Sequence, residues 1–101
     1  MKHFNTDDVI LMVMQEQNAG YQRGVMSVWT IYRAPLDWPH GYIVRKFEVN
    51  RGISKPTNFL LQGESLDDNV LVLLRHILKR AGLVCRPRSP QDDVKIVESW
   101  L

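Results

Sequence analysis

Val28-Trp29-Thr30-Ile31-Tyr32-Arg33 and Tyr42-Ile43-Val44-Arg45-Lys46-Phe47-Glu48-Val49, joined by Ala34-Pro35-Leu36-Asp37-Trp38-Pro39-His40-Gly41, decide how this chain folds. Trp29, Ile31 and Arg33 alternate with Val28, Thr30 and Tyr32, a period of two in β-branched and aromatic residues that predicts a half-buried strand. Pro35 and Pro39 stop it and leave residues 34–41 as a loop. The alternation then resumes, with Ile43, Arg45, Phe47 and Val49 on one side and Tyr42, Val44, Lys46 and Glu48 on the other. The two runs read as a hairpin.

Working downstream, Asn50, Arg51 and Gly52 make a turn, and residues 58–62 offer a third short strand beyond Pro56, which cannot donate to a ladder. Ser65 opens the strongest element. Asp67 and Asp68 follow in its first turn, and Leu66, Val70, Leu73, Leu74, Ile77 and Ala81 recur at helical spacing. Lys79 and Arg80 suit the negative end of the helix dipole, and Gly82 is placed to end the helix in a left-handed conformation with Leu83 folding back. Residues 83–85 are only a candidate strand start, 87–93 turn, and 94–101 close the chain as a strand. Upstream, Thr6 is the expected N-cap of a helix whose apolar residues, Val9, Ile10, Leu11, Met12, Val13 and Met14, spread over most of its circumference. Asn18, Ala19 and Gly20 are expected to end that helix.

The expected class is therefore α+β: a small antiparallel sheet of three to four strands, one long amphipathic helix packed on it, and an N-terminal helix. The second sheet face must be solvated, covered by the N-terminal helix, or used to bind something. Charge divides the chain: residues 1–25 sum to −1 and residues 26–101 to +3. With Met26 as a possible start, the expected division is a helical extension and linker, 1–25, before a single α+β domain, 26–101.

Composition narrows the classes. At 101 residues with 45% hydrophobic side chains, the chain can bury one core and has no room for two. A lone Cys85 excludes an internal disulfide and a cysteine-built zinc site, which points to a reducing, cytoplasmic setting. The longest apolar run, 9–14, is six residues against the ~18 a membrane span needs, and the start lacks the pattern of a secretory signal, so no membrane association is expected.

Catalytic groupings are hard to assemble from these residues. His3 is terminal, and His76 lies beside Arg75 off the apolar stripe. His40 shares a stiff loop with Asp37 and Trp38, an arrangement equally explained by Pro39 and Gly41 shaping the hairpin connection. Cys85 has no local His partner, the His and Cys spacing fits no metal, and no glycine-rich loop follows a strand. No catalytic residue, metal or cofactor is expected, and enzyme activity is the third-ranked reading.

Arginine and tryptophan carry the stronger signals. Arg33 follows Trp29 and Ile31 on one strand face, and Arg45 sits between Ile43 and Phe47 on another, so each guanidinium is either paired in a core or part of a binding surface. Three tryptophans are many for a core this small. Trp29, Arg33, Trp38, His40, Tyr42 and Arg45 are the expected protein-binding patch. Arg75, Lys79, Arg80, Arg86 and Arg88 form a second candidate, a basic surface for nucleic acid, weakened by the eight carboxylates that share residues 26–101.

The segments 28–32 and 35–45, with Ala81-Gly82-Leu83-Val84-Cys85, Arg88-Ser89-Pro90 and Ile96-Val97-Glu98-Ser99-Trp100-Leu101, resemble a group of short uncharacterised bacterial and phage-associated proteins. The resemblance covers about residues 26–101 and implies one compact unit beginning near Met26. It implies no activity, cofactor or site residue, because the group has none assigned. The expectation is a non-catalytic protein-interaction module, with self-association through residues 9–14 open to it and nucleic-acid binding as the alternative.

Overall fold

Asn5, not Thr6, caps the first helix in the computed structural model, which describes residues 5–101 and so leaves His3 outside. The Asn5 side chain accepts the Asp8 amide at 2.8 Å, and helix α1 spans Thr6–Gln22. It runs through Asn18, Ala19 and Gly20 because Gly20 is needed inside it: a Cβ there would lie 2.6 Å from Ser27 Oγ. Arg23 is its C-cap, and Gly24 follows at φ 73°, where the Gly24 amide reaches the Tyr21 carbonyl and the Val25 amide the Gly20 carbonyl.

Helix α2, Asp68–Arg80, is capped by Asp67, whose side chain accepts the Asn69 amide at 2.9 Å. Its start is two residues later than Ser65 suggests, since Ser65 instead accepts the Asp67 amide. Its end follows the same backbone chemistry as α1, with Leu83 bonded back to Leu78 and buried.

Five strands, not three to four, make one antiparallel sheet: β1 Met26–Arg33, β2 Tyr42–Asn50, β3 Ile53–Gly63, β4 Cys85–Pro87 and β5 Ile96–Trp100, in the order β3-β2-β1-β5-β4. The additional strand is β4, three residues long and starting at Cys85 rather than Leu83. β3 is longer than expected because it crosses Pro56 at the sheet edge, where a missing donor costs no ladder bond. Opposite Lys46 it bulges, and Thr57 Oγ1 bonds both the Lys46 carbonyl and the Phe59 amide.

The register fixes the faces. Trp29 lies opposite Lys46 and Trp100, Ile31 opposite Val44 and Glu98, and Arg33 opposite Tyr42. That face carries both helices, and Ile10, Val13, Trp29, Ile31, Tyr42, Val44, Leu74, Ile77, Leu78, Leu83 and Trp100 form one cluster between the layers. Helix α1 supplies part of this cluster, through Ile10 and Val13. Val13 is wholly buried, and Gln17 accepts the Trp29 indole N–H at 2.8 Å. Ile10 and Val13, expected to reach a second copy, are used on the chain's own core.

Candidate functional site: the uncovered sheet face

With both helices on one side, none of the described residues forms a second layer on the opposite face of the sheet. A row of apolar residues crosses the sheet there, from β3 through β2 and β1 to the residues that flank β5 and β4. Phe47 lies between Val28 and Pro56, Val28 stands in line with Leu101 one step beyond the Trp29–Trp100 pair, and Leu101 and Val84 exchange both backbone hydrogen bonds. None of these five belongs to the helix-side cluster. Val28, Phe47 and Leu101 are half-buried by their neighbours, while Pro56 and Val84 are exposed.

The next row toward the loop end reads Leu60, Arg45, Thr30, Ser99 and Arg86. Thr30 and Ser99 satisfy each other by a hydroxyl hydrogen bond at 3.1 Å. Arg45 and Arg86 are the charges that strands β1 to β5 set on this face. Above them Ile43 is buried beside Tyr32. Burial pushes the Tyr32 hydroxyl pKa up; Arg45 works against that and Asp93 and Asp92 add to it.

The 34–41 loop stands at this end and is held stiffly. Ala34 donates to Gly41, Trp38 to Pro35, and Lys95 Nζ to the Ala34 carbonyl at 3.0 Å. Trp38 donates its indole N–H to the Gly63 carbonyl at 2.9 Å and packs against His40 with ring centres 4.5 Å apart and planes tilted by 44°, and Asp37 meets Arg45 at 3.6 Å. Leu36, between them, is 90% exposed.

The expected protein-binding patch is therefore divided. Trp29 and Tyr42, at 0% and 2% exposure, are core residues beneath the helices and cannot meet a partner. Arg33 is exposed at the end of their face. Arg45 lies on the other side of the sheet, since it pairs with Thr30 and not with Trp29. Trp38 and His40 are brought together on the loop, close to Arg45 through Asp37. Residues the sequence did not single out, Val28, Phe47, Leu60, Val84 and Leu101, complete the surface; their signal was the apolar side chains on both faces of the hairpin strands.

The basic candidates are also dispersed. Arg75 is committed to Glu98, bonding both carboxylate oxygens at 2.7 and 3.0 Å. Lys79 and Arg80 end α2 on the helix side, Arg86 is on the uncovered face, and Arg88 donates to the Asp92 carbonyl. They do not form one surface.

Two polar clusters hold the covered side. Lys46 has no exposure; its ammonium donates to Glu16 Oε1 at 2.9 Å, to Glu48 at 3.0 Å and to the Glu16 carbonyl at 3.2 Å, above the Trp29 ring. Arg23 pairs with the same Glu48 oxygen. Every Lys46 donor is satisfied, so the group reads as structural. Glu98 takes the two Arg75 bonds and the Trp100 indole N–H at 2.8 Å. Burial opposes its ionisation, but the hydrogen bonds from Arg75 and Trp100 prevail and hold the carboxyl below the ordinary range. Cys85 is exposed and its thiol pKa is raised, by burial first and then by the Glu98 carboxylate, which disfavours the nucleophilic thiolate.

A two-layer α+β protein with an apolar, arginine-bearing free sheet face is the class these observations define. No family model, curated protein or solved structure matches the chain. Among the described residues no helix is long and apolar enough to cross a membrane.

Proposed function

We propose that the chain is a non-catalytic protein-interaction module, and that it works through the uncovered sheet face with the 34–41 loop at its rim. The observation that carries this reading is the row Pro56, Phe47, Val28, Leu101 and Val84, which lies outside the helix-side cluster. Fully burying a Val, Leu or Phe contributes about 1.5–3 kcal/mol, so covering such a row supplies a driving force for association. Arg45 and the Trp38–His40 pair add side-chain types enriched where partners meet.

The test is capture from a lysate of the source cell with tagged chain, in nuclease-treated and untreated arms. Wild type is compared with Phe47→Glu and with Val72→Glu, an exposed position on α2. A protein retained after nuclease, lost with Phe47→Glu and kept with Val72→Glu is the expected result. Retention that ignores Phe47→Glu, or recovery that disappears with nuclease, overturns the reading and moves weight to the basic residues.

A further inference from the structure

We infer that the occupant of the uncovered face is a second copy of this chain, packed sheet against sheet about a two-fold axis that runs along the apolar row. The inference rests on reading that face as an interaction surface, and it adds the partner and the geometry.

A two-fold axis requires a patch that is complementary to itself. The apolar row meets this requirement, because a rotation about its own length lays it on its copy. The alternative axis, along the strands and midway between β2 and β4, reverses the strand order and lays Arg45 of each copy over the partner's Arg86. That sets like charges face to face in a closing interface, which is unfavourable. Rotation about the apolar row instead sets the arginine rows of the two copies on opposite sides of the axis, so that neither lies over its own copy.

The ends of the sheet fit the same axis. It places the loop end of one copy over the turn end of the other. The loop end presents Asp37, which meets Arg45 of its own chain at 3.6 Å and keeps its side chain 69% exposed, and the turn between β2 and β3 presents exposed Arg51. Symmetry makes this contact twice. Leu36, exposed on the same loop, would lie against the partner's turn, where Ile53 is also exposed.

The available area sets the strength. Five strands at about 4.8 Å spacing and about 24 Å of strand length give roughly 600 Å² of sheet per copy, or roughly 1,200 Å² per pair. That is the lower bound of stable specific interfaces, so the concentrations tested must extend well into the micromolar range.

Sedimentation equilibrium of the full chain from about 1 μM to about 500 μM tests this directly. The expected mass climbs from the 11.8 kDa of one chain toward twice that value. Phe47→Glu holds it at one chain throughout, with its circular dichroism unchanged. Should that variant not fold, Val84→Glu, in the same row but exposed, is expected to act alike. Asp37→Arg and Arg51→Asp each raise the dissociation constant about tenfold, and combining them restores it. A mass fixed at one chain over the whole range, a dimer indifferent to both row substitutions, or a charge swap without restoration overturns the proposal. A single-chain mass together with Phe47-dependent capture of another protein removes the second copy as occupant and leaves the interaction reading standing.

Discussion

Glu16→Ala is the perturbation whose size follows most directly from the packing. Lys46 is fully buried and has three acceptors: Glu16 Oε1, Glu48 Oε2 and the Glu16 carbonyl. Removing one partner from a buried ion pair costs about 3–5 kcal/mol when the charge is left alone. Here Glu48 and the carbonyl remain, and the Glu16 side chain is itself 33% exposed, so solvent already screens part of the pair. The cost falls to about 2 kcal/mol, within the range of hydrogen bonds to charged groups. At about 4–8 °C per kcal/mol for a domain of this size, Tm drops by about 8–16 °C. Lys46→Met removes the buried charge itself, and both glutamates are partly open to water, so it costs about 1 kcal/mol or less. The double variant then costs no more than Lys46→Met alone. Thermal melts of the four proteins form the cycle. Additive losses, or a Glu16→Ala shift below about 3 °C, would refute the reasoning and with it the place of α1 in the core.

Three further outcomes are expected. Glu98 has a folded pKa below the usual 4.5, so the unfolded chain binds the extra proton: its contribution is complete above that value and is lost as pH falls through the folded pKa. Urea titrations across that acidic window show a slope that Glu98→Gln flattens, and equal slopes would contradict the assignment. Truncation before Met26 exposes Trp29 and Lys46 and abolishes the cooperative melt, whereas a melt like that of the whole chain would restore the view of residues 1–25 as an extension. Iodoacetamide modifies Cys85 at pH 8 more slowly than it modifies a free cysteine, despite the exposure of the residue, because its raised pKa lowers the thiolate fraction. Equal rates would contradict that.

Much of the fold was legible because it is encoded locally. The hairpin shows as a change to period two at Val28, and α2 as an apolar stripe with Gly82 and Leu83 closing it, a closure now seen as Leu83 bonded to Leu78. What was not legible depends on pairing across the chain. Both faces of β1 and β2 carry apolar side chains, so only the register could reveal that Arg45 shares its face with Thr30 and that Trp29 faces Lys46. Lys46 gives no local sign of burial, since Glu16 is 30 positions away. Gly20 looked like a helix end for the same reason: the Ser27 that demands it lies on another element. Tryptophan and arginine suggested interface chemistry by type, yet type alone could not distinguish Trp29 beneath a helix from Trp38 on a loop.

The most direct test of the central claim, that the uncovered sheet face is the working surface, is site-specific photo-crosslinking inside the source cell. A benzophenone side chain is placed at Phe47 on that face and, separately, at Val72 on α2. The account predicts discrete protein adducts, a dimer of the chain among them, from position 47 and none from position 72. Adducts from position 72 alone, or equally from both, would contradict it.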